Sequence, residues 1–390
     1  MNRTTWVWLM AIAGAGLLLA APIGLSSNPY IMHIATIAFF YAILASSWSL
    51  LAGYAGQFSF AHMAFMAIGG YTAGLAGKFL RFTTAPTGTC SELSLGSVWL
   101  VFRNISGENC LDLAGETLAN AGVYRMPPVV GIVAGIIMGG VFGFLVGVLV
   151  LRLRRTYLAL FTIGFSEIVR IAINAEIDLT DGPNGLELIP LFPSGFHWFG
   201  FDFSPTDKVP PYYVMLLVFL ISLGLMYWLA MSRFGLFIRA LREDEEAAAA
   251  LGVHIVRYKV LVFVITSMIA AAAGGVYGHF IGVLTPNIIL ILQMSLVIAM
   301  AVIGGLESLI GAAIGAILIE FALEFLRTSF VIGPIEVDMT TWRLVFFGLL
   351  LMLTLRFWNN GLIYPLIQRF TRAGVAEETV AKRQQAPAEG

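Results

Sequence analysis

Charge is scarce in this chain. Of its 390 residues 12% are charged and 59% are hydrophobic, where globular chains carry about 25% charged and about 45–50% apolar residues. With a mean hydropathy of +0.88, an ordinary soluble domain is excluded. The net charge is −1 and no basic tract is present, so nothing points to nucleic acid. Chemical motifs are missing too. There is no GxxxxGK[ST] phosphate loop, no HExxH zinc helix and no GxSxG nucleophile turn. If nucleotide drives this protein, the nucleotide binds elsewhere. Short alternating segments are also lacking, and stretches such as VVGIVAGIIMGGVFGFLVGVLVL do not read as barrel strands. What remains is a polytopic helical membrane protein.

Spans need about 20 mostly apolar residues. Ten windows qualify: 6–23, 31–51, 61–80, 127–151, 156–175, 212–231, 260–283, 289–304, 309–328 and 340–357. The first also has features of a signal peptide, but is read here as a retained span. Positive charge favours the inside. With the N-terminus in the cytoplasm, 14 Lys and Arg fall inside, 7 fall outside and Arg170 lies within a span. The expected fold is therefore all-α, a transmembrane helical bundle of about ten spans in lipid with both termini cytoplasmic. A transmembrane domain covers 1–370, with outside loops at 81–126 and 176–211, an inside loop at 232–259 and a polar tail at 371–390. The only cysteines, Cys90 and Cys110, share one outside loop, where an oxidising compartment would let them form a disulfide.

Several positions stand out within the spans. Gly131, Gly135, Gly139, Gly143 and Gly147 repeat every four residues, a groove for close helix approach. Glu167 and Arg170 are three apart on one helical face inside a span. Two readings stand for this pair: an ion pair that fixes helix register, or a lining of the transport path. Glu320, Glu324 and Arg327 repeat the feature. GYAGQFSFAHMAF places Gly53 and Gly56 beside a break, with Gln57 and Ser59 as polar groups; broken helices at depth belong in protein or along a cavity. His62 has no partner at metal-ligand spacing, and no metal is expected. Asn184 lies in the turn-rich stretch DGPNG, and the aromatic run GFHWFGFDF suits a membrane interface.

The densest charge is in RALREDEEAAAALGV, residues 239–253. Its residues favour helix, it is too polar to span, and Gly252 is placed to end it. Phe237, Ile238, Leu241, Ala248 and Leu251 form its expected apolar face. Such a surface helix between two spans can dock on a soluble partner and transmit force.

Within it Glu246-Ala247-Ala248, three residues and Gly252 resemble the EAA loop of ABC importer permeases. GYAGQFSFAHMAFMAIGGYTAG (53–74), TYLALFTIGFSEIVRIAIN with TDGPNGL (156–186), FGLFIRALREDEEAAAALGV with YK (234–259) and IGGLESLIGAAIGA (303–316) follow in order. Together they resemble the LivM family, permeases of branched-chain amino acid ABC importers. The resemblance implies a multi-pass protein of a bacterial inner membrane that does no covalent chemistry. It also implies a LivH-like permease partner, two ABC ATPase subunits that hold ATP and Mg, and a periplasmic solute-binding protein. Arg242, Glu245, Glu246, Ala247, Ala248 and Gly252 are then the ATPase-coupling residues. Gly53, Gly56, Gln57, Ser59, Glu167, Arg170, Asn184 and Glu307 are candidates for path or gate. Glu307, in GGLES, stands where the family commonly has glycine, and RFWNNGL (356–362) departs from the usual ending. Urea or short amides are the alternative substrates. An ion-coupled secondary transporter using Glu167, Arg170, Glu320 and Glu324, or a passive channel, would leave the charged segment without a task.

Overall fold

The computed structural model describes residues 14, 16–24, 28–82, 92–95, 98–102, 123–150, 155–192, 196–198, 201–203, 207–327, 330–332, 335–337, 339–358 and 361–365. The chain is a predominantly helical membrane protein. Its principal helices are α1 (Pro29–Trp48), α2 (His62–Lys78), α3 (Pro128–Val150), α4 (Arg155–Ala175), α5 (Val209–Met231), α6 (Arg233–Glu243), α7 (Glu245–Ala250), α8 (Ile255–Ile281), α9 (Ile291–Gly304), α10 (Leu309–Phe325) and α11 (Met339–Phe357).

Among the described residues, five helical stretches are long and apolar enough to cross a membrane: Pro29–Tyr54 and those in α3, α4, α5 and α8. The pair α9 and α10 makes a sixth only if counted together, and it is bent by 119°. The sequence windows predict ten. Of the first window only residues 14 and 16–23 are described. α2 and α10 have 17 residues each and α9 has 14. A 14-residue helix covers about 21 Å, short of a hydrocarbon core of about 30 Å. Each short helix adjoins a backbone break, and a window that stops at the break still counts the short piece as a span.

The chain divides into two compact units. One comprises 1–49, 208–227 and 297–390. In it α1 packs on α10. Phe39 of α1 meets Tyr212 edge-on at 5.3 Å and stacks with Phe219 at 5.5 Å, both on α5. α1 is apolar on every side, the pattern of a helix surrounded by protein, and 89% of its span window is buried. The Ser49 hydroxyl donates to Leu306 O at 2.7 Å, and Ser308 Oγ caps α10 by accepting from Gly311 N at 3.0 Å.

The other unit comprises 50–207 and 228–296. Here α2, α3 and α8 pack pairwise. The glycine repeat of α3 forms the seam. A Cβ on Gly131 would lie 2.7 Å from Ala73 O, and one on Gly135 would meet Gly69, both on α2. Gly139 and Gly143 press in the same way on Ala271 and Ser267 of α8. Ala64, Ala67, Tyr71, Leu186, Leu188, Leu284 and Ile289 form a buried core beside this seam. Leu186–Glu187 pairs antiparallel with Val283–Leu284, which ties the 176–211 connection to the end of α8. Tyr71 donates to Leu284 O at 2.8 Å.

The 81–126 connection, expected as a loop, carries strands instead. Phe79–Phe82, Glu92–Leu95, Val98–Phe102 and Val123–Arg125 form one antiparallel sheet. Strands of three to five residues are too short to show a clear period-2 pattern among loop residues. The aromatic run likewise forms a hairpin, Phe196–Trp198 against Phe201–Phe203. Cys90, Cys110 and the tail 371–390 lie outside the described residues.

Candidate functional site

The charged segment is two helices, not the single helix expected over 239–252. Ser232 caps α6, its hydroxyl accepting from Phe234 N at 3.2 Å. Asp244 then closes α6 and opens α7 with extended backbone, φ −152°. Its carboxylate accepts from Glu246 N at 2.9 Å and Ala247 N at 3.0 Å. Aspartate competes with helix continuation by binding nearby amides, and it is a preferred N-cap. Helix propensity summed across the segment hides that single position.

α7 ends as the sequence indicates. Gly252 has φ +85°, Gly252 N donates to Ala249 O at 2.9 Å and Val253 N donates to Ala248 O at 3.1 Å. This left-handed glycine termination satisfies the last free carbonyls. Ile238, Leu241 and Ala248 are buried, as expected for the apolar face. Leu251 is not part of it and is 86% exposed. Glu246 and Ala247 are exposed beside it. α7 therefore offers a small-residue, acidic and partly apolar surface.

The inner face of this helix pair meets the broken end of the first described span. Residues Ser49–Tyr54 form a π-helix. Ala55 N donates to Leu50 O at 3.3 Å, and Gln57 N donates to Leu51 O at 3.0 Å. Gly56 has φ +67°, which suits glycine and little else. Arg242 of α6 donates to Gly53 O. A Cβ on Gly56 would lie 3.0 Å from the Arg242 Cγ. The Arg239 guanidinium sits 4.7 Å over the Tyr54 ring, within cation–π range. Lys259 of α8 pairs with Glu245, and its carbonyl accepts from Gln57 Nε2 at 3.5 Å. The sequence assigns Arg242 and Glu245 to coupling and Gly53, Gly56 and Gln57 to the path. The structure brings the two groups together.

On the other flank of the break, Ser59 is buried and its hydroxyl accepts from Ala61 N at 3.1 Å. Phe60 is held through both backbone groups. Its N–H donates to Thr162 Oγ1 at 3.0 Å, and its carbonyl accepts from Ser166 Oγ at 3.1 Å. Sequence reasoning misses Thr162 and Ser166. Their spacing of four, which puts both hydroxyls on one face of an apolar helix, is the available signal.

Glu167 and Arg170, on the same helix, form a two-point ion pair with side chains 48% and 23% exposed. Such exposure is unusual for charge within a span. α4 has the lowest hydropathy of the five span candidates, 1.5, and only 17% of its window is buried, the smallest share among them. Lipid would favour the reverse order. Asn184 is exposed in the turn Gly182–Asn184 that precedes the Leu186–Glu187 strand. Glu307 belongs to the other unit, exposed in the link between α9 and α10. Among the described residues no cluster of His, Cys, Asp and Glu could hold a metal.

Comparison with known proteins identifies the family. Residues 30–355 match the family model described as branched-chain amino acid transport system / permease component. The chain is 30% identical over 336 residues to the high-affinity branched-chain amino acid transport system permease protein LivM of Salmonella typhimurium, covering 80% of this chain and 68% of that protein. It is 26% identical over 321 residues to LivH of Escherichia coli, covering 82% and 91%. It is 25% identical to the fructose import permease protein FrcC of Rhizobium meliloti, covering 58% and 61%. No solved structure matches the chain. The match across most of the spans and both breaks leads to one conclusion: the chain belongs to the family of permease components of branched-chain amino acid transport systems.

Proposed function

We propose that this chain is one permease subunit of an ABC importer in a bacterial inner membrane, carrying branched-chain or other hydrophobic amino acids inward. The observation that carries the reading is the α6–α7 pair. It presents Glu243, Asp244, Glu246, Ala247 and Leu251 to solvent between two apolar helices, α5 and α8. A surface of that kind suits a soluble ATPase. Two such subunits hold ATP and Mg, and this chain binds neither. A periplasmic binding protein delivers the substrate to the outside connections, 81–126 and 176–211. The chain then crosses the membrane several times, fewer than the ten windows of the sequence if α9 and α10 turn back together, with both termini cytoplasmic. The 119° bend between α9 and α10 is compatible with that orientation, because a pair that turns back on itself leaves the later chain on the same side as two full crossings would.

The exposed face of α4 supports a second, LivH-like permease subunit. An ion pair in the middle of a span is costly against lipid, so the Glu167–Arg170 face is read as lining the path between the two permeases. Gly53, Gly56, Gln57, Ser59, Asn184 and Glu307 are assigned to path and gate. Similarity to a protein named as a fructose permease supports a scaffold that serves more than one substrate class.

The test is uptake of labelled leucine in native cells with and without the gene, with urea as competitor. High-affinity uptake that disappears on deletion and ignores urea is the expected result. Unchanged leucine uptake contradicts the substrate assignment and moves it to urea, an amide or another solute.

A further inference from the structure

We infer that Arg242 is a positioning residue through which the α6–α7 pair sets the conformation of the broken segment 49–57. The inference rests on the reading of α6–α7 as the ATPase contact and adds the route inward from it.

Four contacts converge on five residues. Arg242 donates to Gly53 O, Arg239 covers Tyr54, the Arg242 stem fills the space beside Gly56, and Gln57 binds the carbonyl of Lys259. Lys259 in turn pairs with Glu245 in the first turn of α7. The carbonyls at the end of a helix have no intrahelical partner. The guanidinium of α6 satisfies one of them at the exit of the π-helix. Glycine at position 56 has a local reason: φ +67° strains any side chain, and a Cβ would press on the Arg242 Cγ at 3.0 Å.

The segment is also suited to move. A π-turn is a rare, single-turn departure from the α-helix, frequent at functional sites, and here its wide hydrogen bonds, Ala55 N to Leu50 O and Gln57 N to Leu51 O, run straight into the break. Under the proposal this turn is the element whose arrangement α6 biases. One flank of the break is fixed, with Phe60 held at both backbone groups by Thr162 and Ser166 of α4. The other flank is held by Arg239 and Arg242, on the helix that adjoins the partner-facing surface. Displacement of α6 would therefore pull on Gly53–Gln57 against the fixed point at Phe60. Lysine cannot replace this grip fully, because it has a single compact ammonium where arginine has a planar fork of donors.

The experiment uses the assembled transporter in lipid, with its ATPase subunits, and follows amide hydrogen exchange with and without a non-hydrolysable ATP analogue. In the wild type we expect the analogue to change exchange in 244–252 and to change it in 50–57 by about tenfold or more. In Arg242→Gln and Gly56→Ala the response of 244–252 should persist while that of 50–57 is lost. Arg242→Lys should restore part of it. Exchange in α2 reports that a variant is folded, and Arg242→Lys carries the test if the others are not. A 50–57 response of wild-type size in folded Arg242→Gln overturns the proposal, as does a wild type in which 244–252 responds and 50–57 does not. No response of 244–252 in the wild type overturns the ATPase-contact reading itself, a separate failure. No transported substrate needs to be known.

Discussion

At the scale of single residues, two positions set the geometry of the charged loop. Asp244 ends one helix and starts the next with a single carboxylate. Asp244→Ala should cost about 1 kcal/mol locally, the usual worth of an N-cap, and should be read as faster amide exchange or protease cleavage at 245–250. Gly252 stands at φ +85° in open space, and a Cβ added there would meet nothing within 4 Å. A β-branched residue at this position is opposed by the backbone and not by a neighbour. Gly252→Val and Glu246→Lys should both raise the ATP hydrolysed per substrate carried, while membrane insertion stays intact. Normal coupling in both variants would count against the docking role of α7. Gly252 is legible in the sequence as the end of the segment, whereas Asp244 is hidden within a run of helix formers. The partner of Arg242 is not legible either. Gly53 lies 189 residues away, and nothing local encodes that meeting.

At the scale of elements, the helices themselves are readable because long apolar windows leave little choice of structure. α3, α4, α5 and α8 fall within a few residues of their expected bounds. The glycine spacing of α3 announces a close seam, and the structure supplies the two helices that fill it. Gly143→Leu would drive a side chain into Ser267. It should destabilise the folded protein by about 1–3 kcal/mol or more, the usual cost of overpacking, and lower the midpoint of thermal unfolding in detergent. The faces of α4 are less legible, since a Glu–Arg pair at spacing three does not say what it faces. Exposure of that pair distinguishes α4 from α3. Cysteines placed at Ile168 and Ile171 should react with water-soluble thiol reagents or cross-link to a second permease chain. Cysteines at the similarly exposed Phe144 and Leu145 of α3 should do neither. Equal behaviour of the two pairs would contradict the assignment of the α4 face.

At the scale of the whole molecule, hydropathy windows and the structure part company where the backbone breaks. The windows 31–51, 61–80, 289–304 and 309–328 stop at Gly53–Ser59 and at Gly305–Ser308, but each piece is counted as a full span. The structure shows a π-turn at one and a reversal of 119° at the other. Such breaks concentrate where a transporter needs backbone polar groups inside the membrane, so the departure from simple spans coincides with the candidate path. The central claim is that this chain moves solute only as part of an ATP-driven assembly. The direct measurement is uptake of labelled leucine into vesicles containing the complex purified on a tagged copy of this chain, with and without ATP. We expect ATPase subunits and a second permease to co-purify, and uptake to require ATP. Solute flux through the chain alone, down a gradient and without nucleotide, would contradict the claim.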